Sequence, residues 1–124
     1  MRYETALSLI IVDIDHFGQL NDNFGHDVGD YILMKIANVL LMNSRIADIV
    51  GRLDSADFAV ILPRTNSQVG VFEAERLRIA INQTSYIDDS LLEKNASHRR
   101  KKDGMNVTAC FGVASIPSDD PVKN

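Results

Sequence analysis

Apolar residues follow two rhythms along this chain, short near-continuous runs and helical spacing, and the switches between them predict the elements. Residues 7–13, LSLIIVD, form an almost unbroken aliphatic run ending on acid, the pattern of a central strand buried on both faces. Asp15 is placed to cap a short helix running to about Phe24. The stretch GHDVGD at 25–30 reads as a turn, and Asp30 leads into a long amphipathic helix over 31–42 with Ile32, Leu33, Ile36, Val39 and Leu40 at helical spacing. Two strand-like runs, 48–53 and 58–62, flank residues 54–57 and predict a hairpin with a short loop. Pro63 marks a boundary, after which Asn66 or Ser67 can cap a helix carrying Val71, Phe72, Ala74, Leu77 and Ile81, with Glu73, Glu75, Arg76 and Arg78 mostly outward. Over 83–106 the pattern fails, and Asp88, Asp89 and the HRRKK run at 98–102 predict a polar, exposed excursion before a last strand at 107–116. Strand, two helices, hairpin, helix, strand is the order of an α/β (α+β) domain, with a mixed, mostly antiparallel central sheet flanked by helices.

Composition narrows this to one domain over 1–124: with 124 residues, 45% of them hydrophobic, the chain has room for one modest core and not for two. A formal net charge of −4 gives no general attraction to phosphate polymers, so nucleic acid is not an expected partner. The single cysteine, Cys110, cannot form an internal disulfide and reads as a small buried apolar residue in a strand, which suits a reducing cytosol. No apolar run approaches the roughly 20 residues of a membrane helix. The expectation is a cytoplasmic chain, or the cytoplasmic domain of a larger or membrane-anchored protein, without direct membrane contact of its own. His16 and His26 have no partner at metal-ligand spacing and read as turn or surface residues, and the basic run reads as a solvated loop.

Three segments carry a family pattern. IVDIDHFGQLNDNFGHDVGD at 11–30 resembles the opening of GGDEF domains, GRLDSADFAVILP at 51–63 is similar to their G-R-x-G-G-D-E-F-A-V-L-L-P hairpin, and NVTACFGVA at 106–114 is similar to their late N-V-T-x-S-x-G-V-A strand. The resemblance runs from about Leu7 to Ile116 and implies the nucleotide-cyclase-like GGDEF fold of diguanylate cyclases. The family's leading D-x-L-T-G-L-x-N-R turn and its final lysine-rich helix have no counterpart, so the expected domain is partial.

A diguanylate cyclase makes one GTP 3′-hydroxyl attack the α-phosphate of another, a reaction that depends on divalent metal and on positioning. The resemblance carries the metal ligands onto Asp13 and the carbonyl of Ile14, but their acidic hairpin partner falls on Ala56, and a methyl group cannot ligate magnesium. The second hairpin acid, the remnant catalytic carboxylate, maps to Asp57. Asp54 and Ser55 replace two glycines of the hairpin, and a phosphate-binding lysine falls on Gly18. The guanine-recognition positions map to Asn21 and Asp30. Plain capping or strand-end roles compete with this reading for Asp13, Asp15 and Asp30, and the ordered match over the whole segment favours an inherited site.

Five residues before the hairpin signature stands RIAD at 45–48, matching the family's R-x-x-D inhibitory product site, with its helix arginine at Arg76. Arginine forks suit guanine edges and phosphates, and aspartate accepts from guanine N–H groups. With each charged type near roughly 6% of residues, the motif arises by accident at one stated offset about 0.4% of the time, so inheritance explains it better than chance. The implied function is a catalytically impaired GGDEF domain in cyclic di-GMP signalling that binds cyclic di-GMP at Arg45, Asp48 and Arg76 and requires no cofactor. Alternatives are a cyclase with residual activity, using Mg2+ and GTP, and a ligand-free interaction or dimerisation module. Candidate partners are cyclic di-GMP, GTP held weakly, further domains of a longer parent, and a second copy of the chain.

Overall fold

The aliphatic run at the start of the chain becomes an interior strand of a four-stranded sheet. The computed structural model describes residues 6–86 and 107–117, with β1 (Leu7–Ile14), α1 (Phe17–Phe24), α2 (His26–Asn43), β2 (Ile49–Asp54), β3 (Asp57–Pro63), α3 (Ser67–Gln83) and β4 (Ala109–Ile116). The sheet order is β2-β3-β1-β4, and all three pairings are antiparallel. Ile10 is opposite Val60 on one side and Val113 on the other, which places the centre of β1 at the centre of the sheet.

β1 is not buried on both faces. Its burial alternates, with Ser8, Ile10, Val12 and Ile14 inward and Leu7, Leu9, Ile11 and Asp13 partly or fully exposed. Among the described residues the core lies on one face only, where Ile10, Val12, Val60 and Leu62 meet Ile32, Ile36 and Leu40 of α2 and Leu77 and Ile81 of α3. Burying each such side chain contributes about 1.5–3 kcal/mol. The other face carries an apolar groove of 210 Å³ between Leu7, Leu9, Ile61, Ala114 and Ile116.

The helix boundaries differ from the sequence expectation in two places. The predicted turn at 25–30 shrinks to Gly25 alone, whose φ of 91° ends α1 and starts α2 in a single residue. Asp30 therefore lies inside α2 rather than ahead of it. Asp15 does not cap α1: His16, at φ 57°, is the N-cap residue without a side-chain bond, and Asp15 turns instead to β4. The cap of α3 is as expected, with Asn66 Oδ1 accepting from Val69 N at 3.0 Å. α3 continues through Gln83, and Tyr86 is buried with its hydroxyl donating to Ile81 O at 2.9 Å, so the polar excursion does not begin at 83. Most of that excursion, 87–106 with its basic run, lies outside the described residues.

One buried polar knot ties the elements together. Ser8 Oγ donates to Thr65 O at 2.8 Å, shares a 2.8 Å bond with Ser115 Oγ, and stands 2.9 Å from where a Cβ on Gly70 would lie. α3 can seat on β1 and β4 there because Gly70 has no side chain. Among the described residues no helix is long and apolar enough to cross a membrane.

Candidate functional site

Antiparallel pairing brings the acidic end of β1 to the signature hairpin. Asp13 is the cross-strand partner of Asp57, with both side chains on the exposed face, and the hydrogen-bonded Asp13 carboxylate raises the proton affinity of Asp57. Ala56, in contrast, packs against the core cluster while its carbonyl accepts from Ile14 N at 3.1 Å. Of the two hairpin positions singled out in the sequence, the one that faces Asp13 is thus 57.

The hairpin tip closes on itself. Asp54 Oδ1 accepts from Ser55 N at 2.8 Å, while Arg52 donates from Nε to Asp54 O at 3.2 Å and from Nη2 to Ser55 O at 2.7 Å. Arg52 was not legible as a hairpin clamp, because its targets are backbone carbonyls. A bulge between Arg52 and Asp54 accompanies this turn.

Just past the end of β1, Asp15 is held by Thr108 and by Cys110 of β4. Asp15 Oδ2 accepts from Thr108 Oγ1 at 2.7 Å and Oδ1 accepts from Cys110 Sγ at 3.2 Å; the Thr108 bond, then the Cys110 bond, lowers the Asp15 pKa. The same contact raises the Cys110 thiol. Cys110 is exposed, not the buried apolar residue that its strand setting suggested, because it lies on the uncovered face beside Asp13. Among the described residues no group of three or more His, Cys, Asp or Glu side chains could hold a metal ion.

The two guanine-position residues occupy different surroundings. Asp30 is exposed at a 310 Å³ groove between α2 and the edge strand β2, lined also by Leu33, Met34, Leu41, Val50 and Arg52. Asn21 is not part of that lining. Its Oδ1 is buried without a hydrogen-bond partner among the described residues and stands 1.7 Å from where a Cβ on Gly29 would lie, so the glycine leaves room for the amide.

At the opposite end of α2, the R-x-x-D residues form a closed turn. Asp48 accepts from the Arg45 backbone N–H at 2.8 Å, from Nε at 3.1 Å and from Nη2 at 2.9 Å, and Asp48 N returns a bond to Arg45 O at 3.0 Å. Arg45 Nη2 also reaches Thr65 Oγ1 at 2.6 Å. The Asp48 side chain is 1% exposed and that of Arg45 41%, so of the two only the arginine presents itself to solvent. Arg76, from α3, donates to the carbonyl of Asn43 at the end of α2 and to Glu73 Oε1. Its bond to Asn43 places it beside the turn that holds Arg45. Thr65, Asn43 and Glu73 were not legible as members of this cluster, although Glu73 and Arg76 have the i, i+3 spacing of a helical ion pair.

Residues 1–123 match the family described as "Diguanylate cyclase, GGDEF domain". Diguanylate cyclase A of Treponema denticola is 33% identical over 114 residues, 92% of this chain and 28% of that protein. The active GGEEF domain of a diguanylate cyclase from Vibrio cholerae is similar in structure, with a TM-score of 0.74 at 26% identity over 93% of this chain and 65% of that one. The coiled coil and GGDEF domain of DgcB from Caulobacter crescentus, solved in complex with c-di-GMP, gives a TM-score of 0.73 at 26% identity over 90% of this chain and 53% of that one. The chain thus spans little more than a quarter of the curated relative's length.

Proposed function

Because this chain belongs to the GGDEF diguanylate cyclase family, we propose that it is a catalytically impaired member that acts in cyclic di-GMP signalling by binding the dinucleotide at Arg45, Asp48 and Arg76. The observation that carries this reading is the bond from Arg76 to Asn43 O, which supports a shared site by bringing the α3 arginine to the α2–β2 turn. Arg45 and Arg76 each have a side chain 41% exposed, so both can offer N–H donors to phosphate or guanine acceptors. Asp48 supplies the geometry of the turn, and its contact with a guanine edge would require Arg45 to swing aside.

Impaired turnover is supported by the other end of the domain. Ala56 offers no ligand, the tip at Asp54 and Ser55 is tied up by its own bonds, and Gly18 carries no cation for the phosphates. The cyclic di-GMP-binding role itself needs no cofactor.

A second reading, a cyclase with residual activity, is favoured by the pairing of Asp57 with Asp13. Magnesium in nucleotide sites uses one or two carboxylates and completes its shell with phosphates and water. Asp13 and Asp57, with the Ile14 carbonyl, fit that donor chemistry. A bound Mg2+ would neutralise charge on the GTP phosphates, and the chain's own groups would hold it and, through Asn21 and Asp30, hydrogen-bond a base.

Calorimetric titration with cyclic di-GMP tests the first reading. Wild type is expected to bind, Arg45→Ala to bind about tenfold to hundredfold more weakly, equivalent to about 1.5–3 kcal/mol for a charged hydrogen bond, and Asp13→Asn to bind as wild type does. No binding by folded wild type at high micromolar ligand leaves a ligand-free interaction module as the better account. Product formed from GTP and Mg2+, and abolished by Asp13→Asn, establishes the second reading.

A further inference from the structure

Glu73 is an acidic side chain of the arginine cluster to which the proposed site assigns no role. It precedes Arg76 by one helical turn, and its Oε1 accepts from Arg76 Nε at 3.2 Å and from Nη2 at 2.8 Å. Its side chain is 13% exposed, so most of it is sequestered in this contact. Its charge is also felt by Arg45, whose protonated form it favours after the larger effect of Asp48. A single carboxylate therefore acts on both arginines.

We propose that Glu73 is an internal competitor for the ligand: its carboxylate occupies the Arg76 fork in the free protein and is displaced when a dianionic dinucleotide binds, so that Glu73 sets the affinity of the site. This rests on the reading of Arg45, Asp48 and Arg76 as that site. The alternative acid, Asp48, is poorly placed to act as such a competitor. It is fixed by a backbone N–H of its own turn as well as by the arginine, and releasing it would open the turn. Glu73 has no such anchor. Among the described residues its hydrogen bonds are both to Arg76, and rotation of a long side chain on the helix surface is enough to free it. Arg76 meanwhile keeps its bond to Asn43 O, so it stays at the mouth of the turn while N–H groups are released toward an incoming phosphate or guanine.

The size of the effect follows from the kind of pair. A partly exposed i, i+3 ion pair contributes little to stability, so Glu73 tunes binding without blocking it. Its removal also relieves repulsion between a carboxylate and a ligand carrying two negative charges, a contribution that salt screens. Glu73→Gln should tighten binding about threefold to tenfold at low salt, and less at high salt.

The test is calorimetric titration with cyclic di-GMP of wild type, Glu73→Gln, Arg76→Ala and the double variant, at low and high salt, with thermal unfolding as the check on folding. Tighter binding by Glu73→Gln, with the gain absent when Arg76 is alanine, supports the competitor role, since a purely structural contribution would not depend on Arg76 in this way. Wild-type binding that Glu73→Gln leaves equal or weakens overturns the inference while the site stands, and weaker binding makes Glu73 a positioning residue for Arg76. Absence of binding by both folded proteins removes the site itself and this inference with it. Should Glu73→Gln not fold, Glu73→Ala on the same helix surface is read in the same way.

Discussion

Asp13 and Asp57 are direct cross-strand partners, so two carboxylates face each other at the last pair of the β1–β3 ladder. Like charges directly opposite on neighbouring strands destabilise a sheet. The fold raises the Asp57 pKa through its hydrogen bond to Asp13, through desolvation, and through the charges of Asp13 and Asp54. Because the folded state holds this proton more tightly than the unfolded chain does, the associated stability is present below the ordinary aspartate value of 3.8 and is lost as pH rises through the raised one. Asp57→Asn should therefore unfold at a higher temperature than wild type at pH 7, with the difference shrinking toward about pH 3. Equal unfolding temperatures at neutral pH would show that the pair separates in solution.

Restoring the signature alone should not restore the enzyme. Ala56 packs partly against the core, so Asp54→Gly with Ser55→Gly and Ala56→Asp places a new carboxylate beside apolar side chains while leaving the phosphates without a cation at Gly18. The expected outcome in a GTP and magnesium assay is no turnover approaching an ordinary cyclase, together with reduced stability. Gly18 is open, with nothing within 4 Å of an added Cβ, so Gly18→Lys is sterically free and should improve GTP binding more than the hairpin changes do. A triple variant with full activity would show that the lost cations matter little.

Much of this arrangement was legible because it is local. The Asn66 cap and the hairpin depend on neighbours in sequence, and the fold follows them. What was misread depends on distant partners. Asp15 looked like a cap because its bonds to Thr108 and Cys110 span 93 and 95 residues. GHDVGD read as a six-residue turn, but Gly29 within it does not break the chain. It is instead a helical residue kept small by the Asn21 amide on the neighbouring helix. Continuous apolar character in β1 suggested two covered faces, yet the described helices pack on one.

The closed turn at the end of α2 should matter for stability as well as for ligand. Asp48 receives a backbone N–H and two side-chain donors of Arg45, while Arg45 in turn holds the buried Thr65 hydroxyl. Asp48→Ala is expected to cost about 1–2 kcal/mol in urea unfolding, the lower part of the range of a charged hydrogen bond because Arg45 is partly exposed, since it frees the turn and loosens the link to the β3–α3 connection. A change of only a few tenths would mean that the pair is an ordinary surface ion pair.

Cys110 offers a readout of the Asp15 contact. The thiol is exposed but donates to a carboxylate, which raises its pKa and lowers the fraction of reactive thiolate. Asp15→Asn removes the negative charge, so alkylation at pH 8 should become faster in the variant, with the largest change near neutral pH. An unchanged rate in a folded variant would show that Sγ does not hold this contact in solution.

Asn21 distinguishes a site residue from a structural one. Its Oδ1 is buried with no partner among the described residues, and a buried unpaired acceptor costs about 1–3 kcal/mol. Alanine is also the better helix former at this position within α1. Asn21→Ala should therefore raise the free energy of unfolding by about 1 kcal/mol, whereas truncation of an ordinary packed residue lowers it. In the same variant, any binding of GTP that wild type shows should weaken, since the amide is the group that would read a guanine edge. Higher stability with weaker GTP binding would mark Asn21 as a recognition residue kept at the expense of the fold, as functional sites commonly are. Lower stability would instead mean that the amide is satisfied in solution and packs α1 against Gly29 of α2, which would remove the ground for assigning it to nucleotide.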